Sequence, residues 1–258
     1  MPVAPLDRRR LLGALAAAAA VPLAACDRLS RSPAVARVLE RAETVTRRTH
    51  RLIQQRLALA PEFAEADISA DFRANGTTDP DDAVYRALAA DQFADWRLEV
   101  GGLVERPLSL ALGDLRRRPA RTQITRHDCV EGWSGIAKWT GVPLADVLAQ
   151  ARLLPTARYV VFHCADSLEQ TLDGTGQYYE SLDLIDAHHP QTILAYAMNG
   201  HPLPIAHGAP LRLRVERQLG YKMAKYVMRI EAVDSLAPIG RGKGGFWEDR
   251  GYEWYAGV

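Results

Sequence analysis

This sequence has few cysteines, no excess of charge of one sign, and no apolar run long enough to be assigned as a membrane span. Its 258 residues include three cysteines, and 32 Lys and Arg are balanced by 31 Asp and Glu, for a net charge of +1. A nearly neutral chain does not offer the basic surface typical of nucleic-acid-binding proteins, so we expect no nucleic-acid partner. No C-x-x-C-H motif is present, which excludes covalent haem attachment by that motif. The 48% hydrophobic composition suffices to build one large domain or two small ones.

The apolar run that is present lies at the N-terminus and predicts an export signal. Three arginines, Arg8 to Arg10, precede an apolar stretch from Leu11 to Ala25 that is too short to be assigned as a membrane span. Arg8 and Arg9 directly before this stretch resemble a twin-arginine signal, which exports proteins already folded around a cofactor. An ordinary signal peptide with a basic start is the alternative. Residues 1–25 are therefore predicted to be the signal, and the mature protein to be periplasmic.

Cys26 follows the apolar stretch in the sequence Leu23-Ala24-Ala25-Cys26, which resembles the lipobox of bacterial lipoproteins. Cleavage before Cys26 would leave a lipid-bearing cysteine that anchors the protein at the membrane surface. A plain small-residue cleavage site is the alternative. From Ser32 and Pro33 to about Leu59, apolar residues at helical spacing predict an amphipathic helix or a stiff spacer. Residues 26–67 are thus predicted to be an anchor-proximal helix and linker, and residues 68–258 the main domain.

Strands outnumber helices in the predicted main domain. Strands are predicted for residues 95–104, 121–127, 158–163, 192–200, 211–216 and 225–233. Short helices are predicted for residues 109–118 and 143–154, and a loop for residues 62–82. These elements do not alternate as they do in a parallel α/β sheet. We therefore predict an α+β fold with mixed β-sheets and short helices.

Cys129 follows a predicted strand and has His127 and Glu131 two residues away on either side. Four interpretations are open. A plain buried thiol fits poorly with these polar neighbours, which are costly to bury without partners. A Cys129–Cys164 disulfide suits an exported protein. A zinc site could use Cys129 and Cys164 together with His127 and His163, although the adjacent residues 163 and 164 on one strand point to opposite faces. The fourth interpretation is that Cys129 is a thiolate ligand to a softer redox metal.

Several motifs occur in order and resemble the molybdopterin-binding domain of the sulfite oxidase family. They are R-H-D-C-V-E-G-W-S-G around Cys129, N-G-H-P-L-P from Asn199, H-G-A-P-L-R ending at Arg212, and G-Y-K-M-A-K ending at Lys225. The sequence is most similar to the exported bacterial branch that contains the catalytic subunit of the protein-methionine-sulfoxide reductase. The resemblance covers residues 68–235 and implies a sulfite oxidase-type molybdopterin-binding domain.

The resemblance implies one molybdenum–molybdopterin cofactor per chain. Cys129 would be the thiolate ligand to molybdenum, because a soft ligand suits a metal that exchanges an oxygen atom and two electrons. Glu131 would either hold a proton for the reaction or cap its loop. Arg212 would bind the cofactor's phosphate, since its planar guanidinium can hold phosphate oxygens with two hydrogen bonds. The full set of residues implied to bind the cofactor is Asn75, Cys164, His207, Arg212, Met223, Ala224 and Lys225.

This sequence departs from the family pattern at several positions. Cys164 and His207 stand where the methionine-sulfoxide branch has a threonine and an asparagine. The C-terminal segment from Gly242 also differs, and its aromatic and glycine residues could cover the cleft or form a partner surface. Sulfite-binding sites usually gather arginines around the metal, and only Arg126 and Arg73 are candidates here. Trp133 and Trp139 are expected to serve in packing.

The resemblance implies an enzyme that transfers an oxygen atom to or from a small sulfur compound or a sulfoxide. Electrons would pass to or from a separate cytochrome c or membrane haem protein. The alternative is a non-catalytic periplasmic binding module that reuses the fold and holds a Cys129–Cys164 disulfide or a zinc ion.

Overall fold

The computed structural model describes residues 32–53, 57–172 and 176–258, so the predicted signal and Cys26 lie outside the described residues. The chain divides into two compact units, Met1–Ile53 and Gln54–Val258. In the first unit, helix α1 (Pro33–Ile53) begins at the predicted position. Residues 57–59, the end of the predicted helix, are not helical. No helix within the described ranges is long and apolar enough to cross a membrane.

The second unit contains two five-stranded sheets. The first sheet has the order β2-β1-β10-β5-β6. Its strands are β1 (Arg97–Gly102), β2 (Leu108–Ala111), β5 (Tyr159–Ser167), β6 (Gln177–Asp183) and β10 (Val227–Val233). Strands β1 and β10 are parallel, whereas the other neighbours are antiparallel, so the sheet is mixed.

The second sheet is antiparallel and has the order β3-β4-β7-β8, with β9 also pairing with β7. Its strands are β3 (Arg121–Asp128), β4 (Ser134–Pro143), β7 (Ile193–Met198), β8 (His201–Pro202) and β9 (Arg212–Arg214). The helices of this unit are α2 (Ala83–Ala90), α3 (Leu112–Arg116), α4 (Leu144–Ala151) and α5 (Leu184–Ala187). All of them are short; α2 precedes β1, and the other three each connect two strands without forming a regular strand–helix alternation.

The main hydrophobic core joins the two sheets, because Val142 and Leu194 of the second sheet share one buried cluster with Val160 and Ile230 of the first. Side chains alternate along a strand, so the neighbouring residues of the second sheet face the other way. On that face Trp139 lies in a smaller buried cluster. Both faces of the second sheet are therefore covered, which suits the nearly continuous burial of β7.

The α+β class with mixed sheets and short helices is confirmed, but several element predictions are wrong. The predicted helix 109–118 begins as strand β2 and becomes helical at Leu112. Strands β4 and β6 and helix α2 were not predicted. Strand β4 was missed because glycine usually disfavours a strand. Here a Cβ at Gly141 would collide with the backbone of Leu194 on β7, so this glycine lets the two strands approach closely instead of ending β4.

Candidate functional site

Cys129 lies in the tight connection between β3 and β4. Its backbone N–H donates to the carbonyl of Trp133 at 2.9 Å, and the N–H of Gly132 donates back to the Cys129 carbonyl at 3.0 Å. Gly132 has a φ of 85°, a conformation that favours glycine. The hairpin therefore fixes Cys129 directly after β3, as the sequence predicted, with the residue 8% exposed.

The Cys129 cavity, of about 140 Å³, brings together residues that are far apart in the chain. It is lined by Asn75, Gly76, Thr77, Cys129, Val130, Glu131, Asp166, Leu168, Tyr178, Gly220, Tyr221, Met223, Lys225, Trp247 and Tyr252. Five of the predicted site residues are in this set, namely Asn75, Cys129, Glu131, Met223 and Lys225. The structure thus unites the Cys129 motif with the distant G-Y-K-M-A-K motif.

The environment of the Cys129 thiol has opposing effects on its pKa. Burial raises the pKa, and the Glu131 carboxylate adds to this rise. Hydrogen bonds from the backbone N–H of Glu131 and from the Asn75 amide, which is 3.9 Å from Sγ, act in the opposite direction together with Arg73. A metal ion bound at Sγ would displace the thiol proton outright.

Arg212 is a buried cation to which no carboxylate of the described residues is hydrogen-bonded. Its Nη1 donates to the carbonyl of His207 at 3.0 Å and its Nη2 to that of Met223 at 3.3 Å, while Nε has no hydrogen-bond partner. Burial first, and then the neighbouring Arg214, lower the pKa of Arg212 to about 9. A guanidinium in this setting is suited to an anion with oxygen acceptors, such as a phosphate.

Lys225 is a second buried cation in the same region. Its Nζ donates to the carbonyls of Asn75 at 2.7 Å and Ala206 at 3.1 Å, and also to that of Thr77. Burial, followed by the charge of Arg212, lowers the pKa of Lys225 to about 7. Lys225 therefore fixes the Asn75 loop against the cavity and adds positive charge that an anionic ligand would stabilise.

Two further buried side chains each have one polar atom without a hydrogen-bond partner, which points to a polar ligand. Asp166 is 3% exposed and lines the Cys129 cavity, yet its Oδ1 has no hydrogen-bond partner; burial raises its pKa to about 6. Nε2 of the buried His127 is also unpartnered, and burial followed by the charge of Arg214 holds the pKa of His127 well below its usual value. Unsatisfied buried donors and acceptors are rare in folded proteins. Together with Arg212 they fit an anionic cofactor that has a polar ring system.

Glu131 lies at the exposed side of the cavity. Its Oε2 accepts a hydrogen bond from the indole N–H of Trp133 at 2.9 Å. Glu131 therefore both supports the hairpin and presents a carboxylate beside Cys129, so neither of its two predicted roles is excluded. Trp139 is fully buried, as expected of a packing residue, whereas Trp133 is only partly buried.

Other predicted residues are not among those lining the cavity. Cys164 is buried and lines a different cavity, next to His163. His207 lies beside Arg212, which together with burial lowers the His207 pKa to about 4. The Ala224 carbonyl already accepts from the N–H of Leu213, which leaves fewer backbone groups for a cofactor than predicted. Arg126 is exposed and paired with Asp128 at another cavity.

The disulfide and zinc interpretations of Cys129 are not supported. Cys129 and Cys164 are both free thiols. His163 instead bonds to Glu231 at 2.8 Å. Across the described parts of the chain, no group of three His, Cys, Asp or Glu side chains is arranged to hold a metal ion.

Asp166, Tyr178, Trp247 and Tyr252 line the cavity but were not assigned to it from the sequence. An acidic residue inside the apolar run of β5 was the available signal for Asp166, since a carboxylate is costly to bury without a purpose. Nothing in the local sequence marks Tyr178. The aromatic content of the C-terminal segment suggested a cover for the cleft, and two of its rings do line the cavity.

Comparison with known proteins identifies relatives. Residues 86–238 match the family described as the oxidoreductase molybdopterin binding domain. YedZ1 of Azospira oryzae, provisionally named a protein-methionine-sulfoxide reductase subunit, is 39% identical over 199 residues, 77% of this chain and 68% of the relative. The protein-methionine-sulfoxide reductase catalytic subunit MsrP of Xanthomonas axonopodis pv. citri is 34% identical over 241 residues, 89% of this chain and 71% of the relative.

Among solved structures, the sulfane dehydrogenase SoxCD from Paracoccus pantotrophus is 27% identical with a TM-score of 0.49, over 55% of this chain and 39% of that chain. The family match covers more than half of this chain, and the two sequence relatives are covered over two thirds or more of their length. The chain therefore belongs to the oxidoreductase molybdopterin binding domain family and is a molybdopterin-dependent oxidoreductase of the sulfite oxidase type.

Proposed function

We propose that this chain is an exported oxidoreductase that removes an oxygen atom from a sulfoxide, with one molybdenum–molybdopterin cofactor per chain and electrons from a separate haem protein. Two observations carry the proposal. Cys129 presents a thiol at a cavity, and the cavity residues Met223 and Lys225 lie beside Arg212, a buried cation that does not itself line the cavity and that donates only to backbone carbonyls among the described residues. The names of MsrP and YedZ1 support sulfoxide reduction in particular.

Some of the site residues would bind the cofactor, and Glu131 would supply a proton for the reaction. Cys129 would bind the metal, while Arg212 and the charge of Lys225 would neutralise the cofactor's phosphate; Asp166 offers an acceptor for an N–H group. The cofactor, when bound, supplies oxygen-atom and two-electron transfer. Reduction of a sulfoxide to a sulfide and water takes up two electrons and two protons, and Glu131 is the carboxylate placed to hold a proton near Cys129.

Sulfite oxidation is the less favoured chemistry. A sulfite anion requires several cations. Of the two candidate arginines, Arg126 lines a different cavity, whereas Arg73 is close enough to Cys129 to lower the pKa of its thiol. Among the described residues that line the Cys129 cavity, Lys225 is the one cation, and its ammonium group already donates hydrogen bonds to three backbone carbonyls. Glu131 and Asp166 add negative charge, so a neutral sulfoxide suits the cavity better than an anion.

Metal analysis of protein purified from a host that makes the cofactor tests the proposal. We expect one molybdenum per chain in the wild type and in the Cys164→Ser control, and its loss in Cys129→Ser. Methionine-sulfoxide reduction driven by an artificial electron carrier should exceed sulfite oxidation. Zinc instead of molybdenum, or full metal content in Cys129→Ser, would contradict the proposal.

We further propose a periplasmic location, supported by Arg8, Arg9 and the apolar stretch that follows. A pair of substitutions, Arg8→Lys with Arg9→Lys, is expected to retain the protein in the cytoplasm because the twin-arginine signal is lost. If Cys26 carries the predicted lipid, Cys26→Ser should move the exported protein from the membrane fraction to the soluble periplasm. Cell fractionation followed by immunoblotting measures both effects.

A further inference from the structure

The C-terminal segment 246–255 supplies part of the Cys129 cavity although it lies outside the matched region 86–238. Trp247 and Tyr252 of this segment line the cavity, and their rings stack with centroids 5.3 Å apart and planes 26° apart. Tyr252 also makes an edge contact with Tyr221, with centroids 5.2 Å apart. The three rings form a continuous aromatic wall, and Tyr252, at 41% exposure, reaches the solvent side.

A buried ion cluster holds the aromatic wall in place. Lys222 Nζ donates to Glu180 at 2.5 Å and to Glu248 at 2.6 Å, and all three side chains are shielded from solvent. Glu248 is the residue directly after Trp247. On the next residue, the Asp249 carboxylate accepts from the Tyr179 hydroxyl at 2.7 Å and from the backbone N–H of Arg241 at 2.9 Å. The ring pair is therefore fixed before a ligand arrives, which reduces the entropy lost on binding.

The chemistry of the aromatic wall fits a neutral, sulfur-bearing side chain. Polarizable sulfur makes favourable contacts with aromatic rings. Lining residue Leu168 adds apolar surface, whereas Glu131 places a carboxylate in the cavity that would repel a small anion. A methionine sulfoxide side chain combines a sulfur atom with an apolar stem, and both can lie against the rings while the S–O group faces Cys129.

We propose that Trp247 and Tyr252 form the substrate-binding wall of this enzyme and select the side chain of methionine sulfoxide over smaller sulfoxides and over sulfite. This inference rests on the sulfoxide reduction proposed above. It assigns the C-terminal segment a direct part in substrate recognition.

The role of Trp247 and Tyr252 in substrate binding can be tested with variants of the cofactor-loaded protein that either remove or keep an aromatic ring. Trp247→Leu and Tyr252→Leu keep an apolar side chain but remove the ring, while Trp247→Phe and Tyr252→Phe are the matched controls that keep one. The probes are N-acetylmethionine sulfoxide amide and dimethyl sulfoxide, which has no stem to lie on the rings. Turnover is measured with an artificial electron donor, and binding is measured by calorimetry without a donor.

Each leucine variant is expected to raise the KM and Kd for N-acetylmethionine sulfoxide amide about fivefold, the loss expected for one sulfur–aromatic contact. The rise in KM for dimethyl sulfoxide should be less than a third as large, with the main effect on KM rather than kcat. The phenylalanine variants should stay within about twofold of the wild type, since a ring remains available to the sulfur. Molybdenum content should be unchanged in all four variants.

Three outcomes would contradict a substrate-binding role for Trp247 and Tyr252: equal losses on both sulfoxides, phenylalanine variants as weak as the leucine variants, or a fall in molybdenum content. Each would instead indicate a role in folding or in cofactor binding. Failure of the two proposals can be told apart. If the wild type binds the amide through the rings but reduces no sulfoxide, sulfoxide reduction is wrong and the binding site stands. If the wild type reduces methionine sulfoxide and the leucine variants match it, the binding site is wrong and the activity stands.

Discussion

Arg212 and Arg214 lie two residues apart on β9, and both guanidinium groups lie over the ring of Trp139, at 4.9 and 4.4 Å from its centroid. Their partners differ. Arg214 is paired with the buried Glu216 through two hydrogen bonds, at 2.6 and 2.9 Å. Among the described residues, Arg212 donates hydrogen bonds only to backbone carbonyls, and its Nε has no hydrogen-bond partner. One arginine is therefore structural, and the other is available to a ligand.

Substituting methionine for each arginine should separate stability from cofactor binding. Arg214→Met leaves Glu216 buried without its cation and should cost about 3–5 kcal/mol of unfolding free energy. Arg212→Met removes an uncompensated buried charge, so the cofactor-free protein should be as stable as the wild type or more stable. Its molybdenum content, however, should fall at least about tenfold, as a lost charge-assisted contact of about 1.5–3 kcal/mol implies. Urea unfolding and metal analysis measure the two effects, and equal loss of stability in both variants would contradict this distinction.

Glu131 offers a second test at single-residue scale. Glu131→Gln keeps an oxygen that can accept from the Trp133 indole, so the hairpin and the molybdenum content should be retained. It cannot hold the proton, so kcat for sulfoxide reduction should fall about 10²-fold, the lower end of the range for general acid catalysis. Steady-state kinetics beside metal analysis checks this. An unchanged kcat would leave Glu131 with the hairpin contact alone.

At the scale of elements, the buried cluster of Lys222, Glu180 and Glu248 joins the 220–225 region, strand β6 and the C-terminal segment. One cation faces two carboxylates there. Burial first, then the charge of Glu248, raises the pKa of Glu180 well above its usual value, and Lys222 only partly opposes this. Burial lowers the pKa of Lys222, but the two carboxylates outweigh it and leave the pKa raised. The arrangement with least charge imbalance therefore has Lys222 ionised and a proton on Glu180.

This charge arrangement predicts that two substitutions in the cluster differ greatly in their effect on the free energy of unfolding. Lys222→Met leaves the buried Glu248 carboxylate without its cation, beside the neutral Glu180, and should cost about 3–5 kcal/mol of unfolding free energy. Glu180→Gln resembles the protonated side chain and should cost less than about 1 kcal/mol, since a buried neutral hydrogen bond contributes about that much. Urea unfolding of both variants is the measurement. If Glu180→Gln proved as costly as Lys222→Met, Glu180 would have to be ionised in the folded protein.

Sequence reasoning succeeded for elements with a plain pattern and failed where tertiary contact decides. Strands β3, β5 and β10 have long β-branched or alternating runs and were predicted, while the glycine-rich β4 was not, because its glycine serves close approach to β7. In the site, Cys129, Arg212 and Lys225 were predicted because their motifs occur in a fixed order, and the structure places Cys129 and Lys225 at one cavity. The C-terminal segment was considered as a cover for the cleft, but Trp247 and Tyr252 were not assigned individually, because tertiary contacts such as Lys222–Glu248 and Tyr221–Tyr252 decide which of its rings reach the cavity.

At the scale of the whole molecule, a pair of buried cations makes the stability of the cofactor-free protein depend on pH. The Lys225 pKa is lowered from 10.5 to about 7 in the folded state. Between these values the unfolded chain holds a proton that the folded protein lacks, so unfolding takes up a proton and stability rises with pH. Below about pH 7 both states hold the proton, and the full cost of burying the charge is present. The relief should approach 1.4 kcal/mol per pH unit for one proton.

The window from about pH 7 to about pH 8.5 contains this effect, but other groups also contribute to the slope there. His127, His163, His189 and His207 have folded-state pKa values below 6.5, so protons that the unfolded chain still holds on them add to the rise near pH 7. Arg212, whose pKa is lowered to about 9, adds to the rise near pH 8.5. Glu180 holds a proton in the folded protein, and the thiols of Cys129 and Cys164 have pKa values raised above 9.0, so these groups lower stability as pH rises. The contribution of Lys225 is therefore the difference in slope between the wild type and Lys225→Met.

Cofactor loading should remove the Lys225 contribution. An anionic phosphate near Arg212 and Lys225 favours the charged form of Lys225, which brings its folded and unfolded pKa values together. Urea unfolding at pH 7.0, 7.75 and 8.5 measures how the unfolding free energy changes with pH. Without cofactor, the slope should be more positive in the wild type than in Lys225→Met, and cofactor loading should lower the wild-type slope by at least that difference. Equal slopes in the two cofactor-free proteins would mean that Lys225 does not titrate in this range, and a wild-type slope unchanged by loading would mean that the cofactor's negative charge does not reach Lys225.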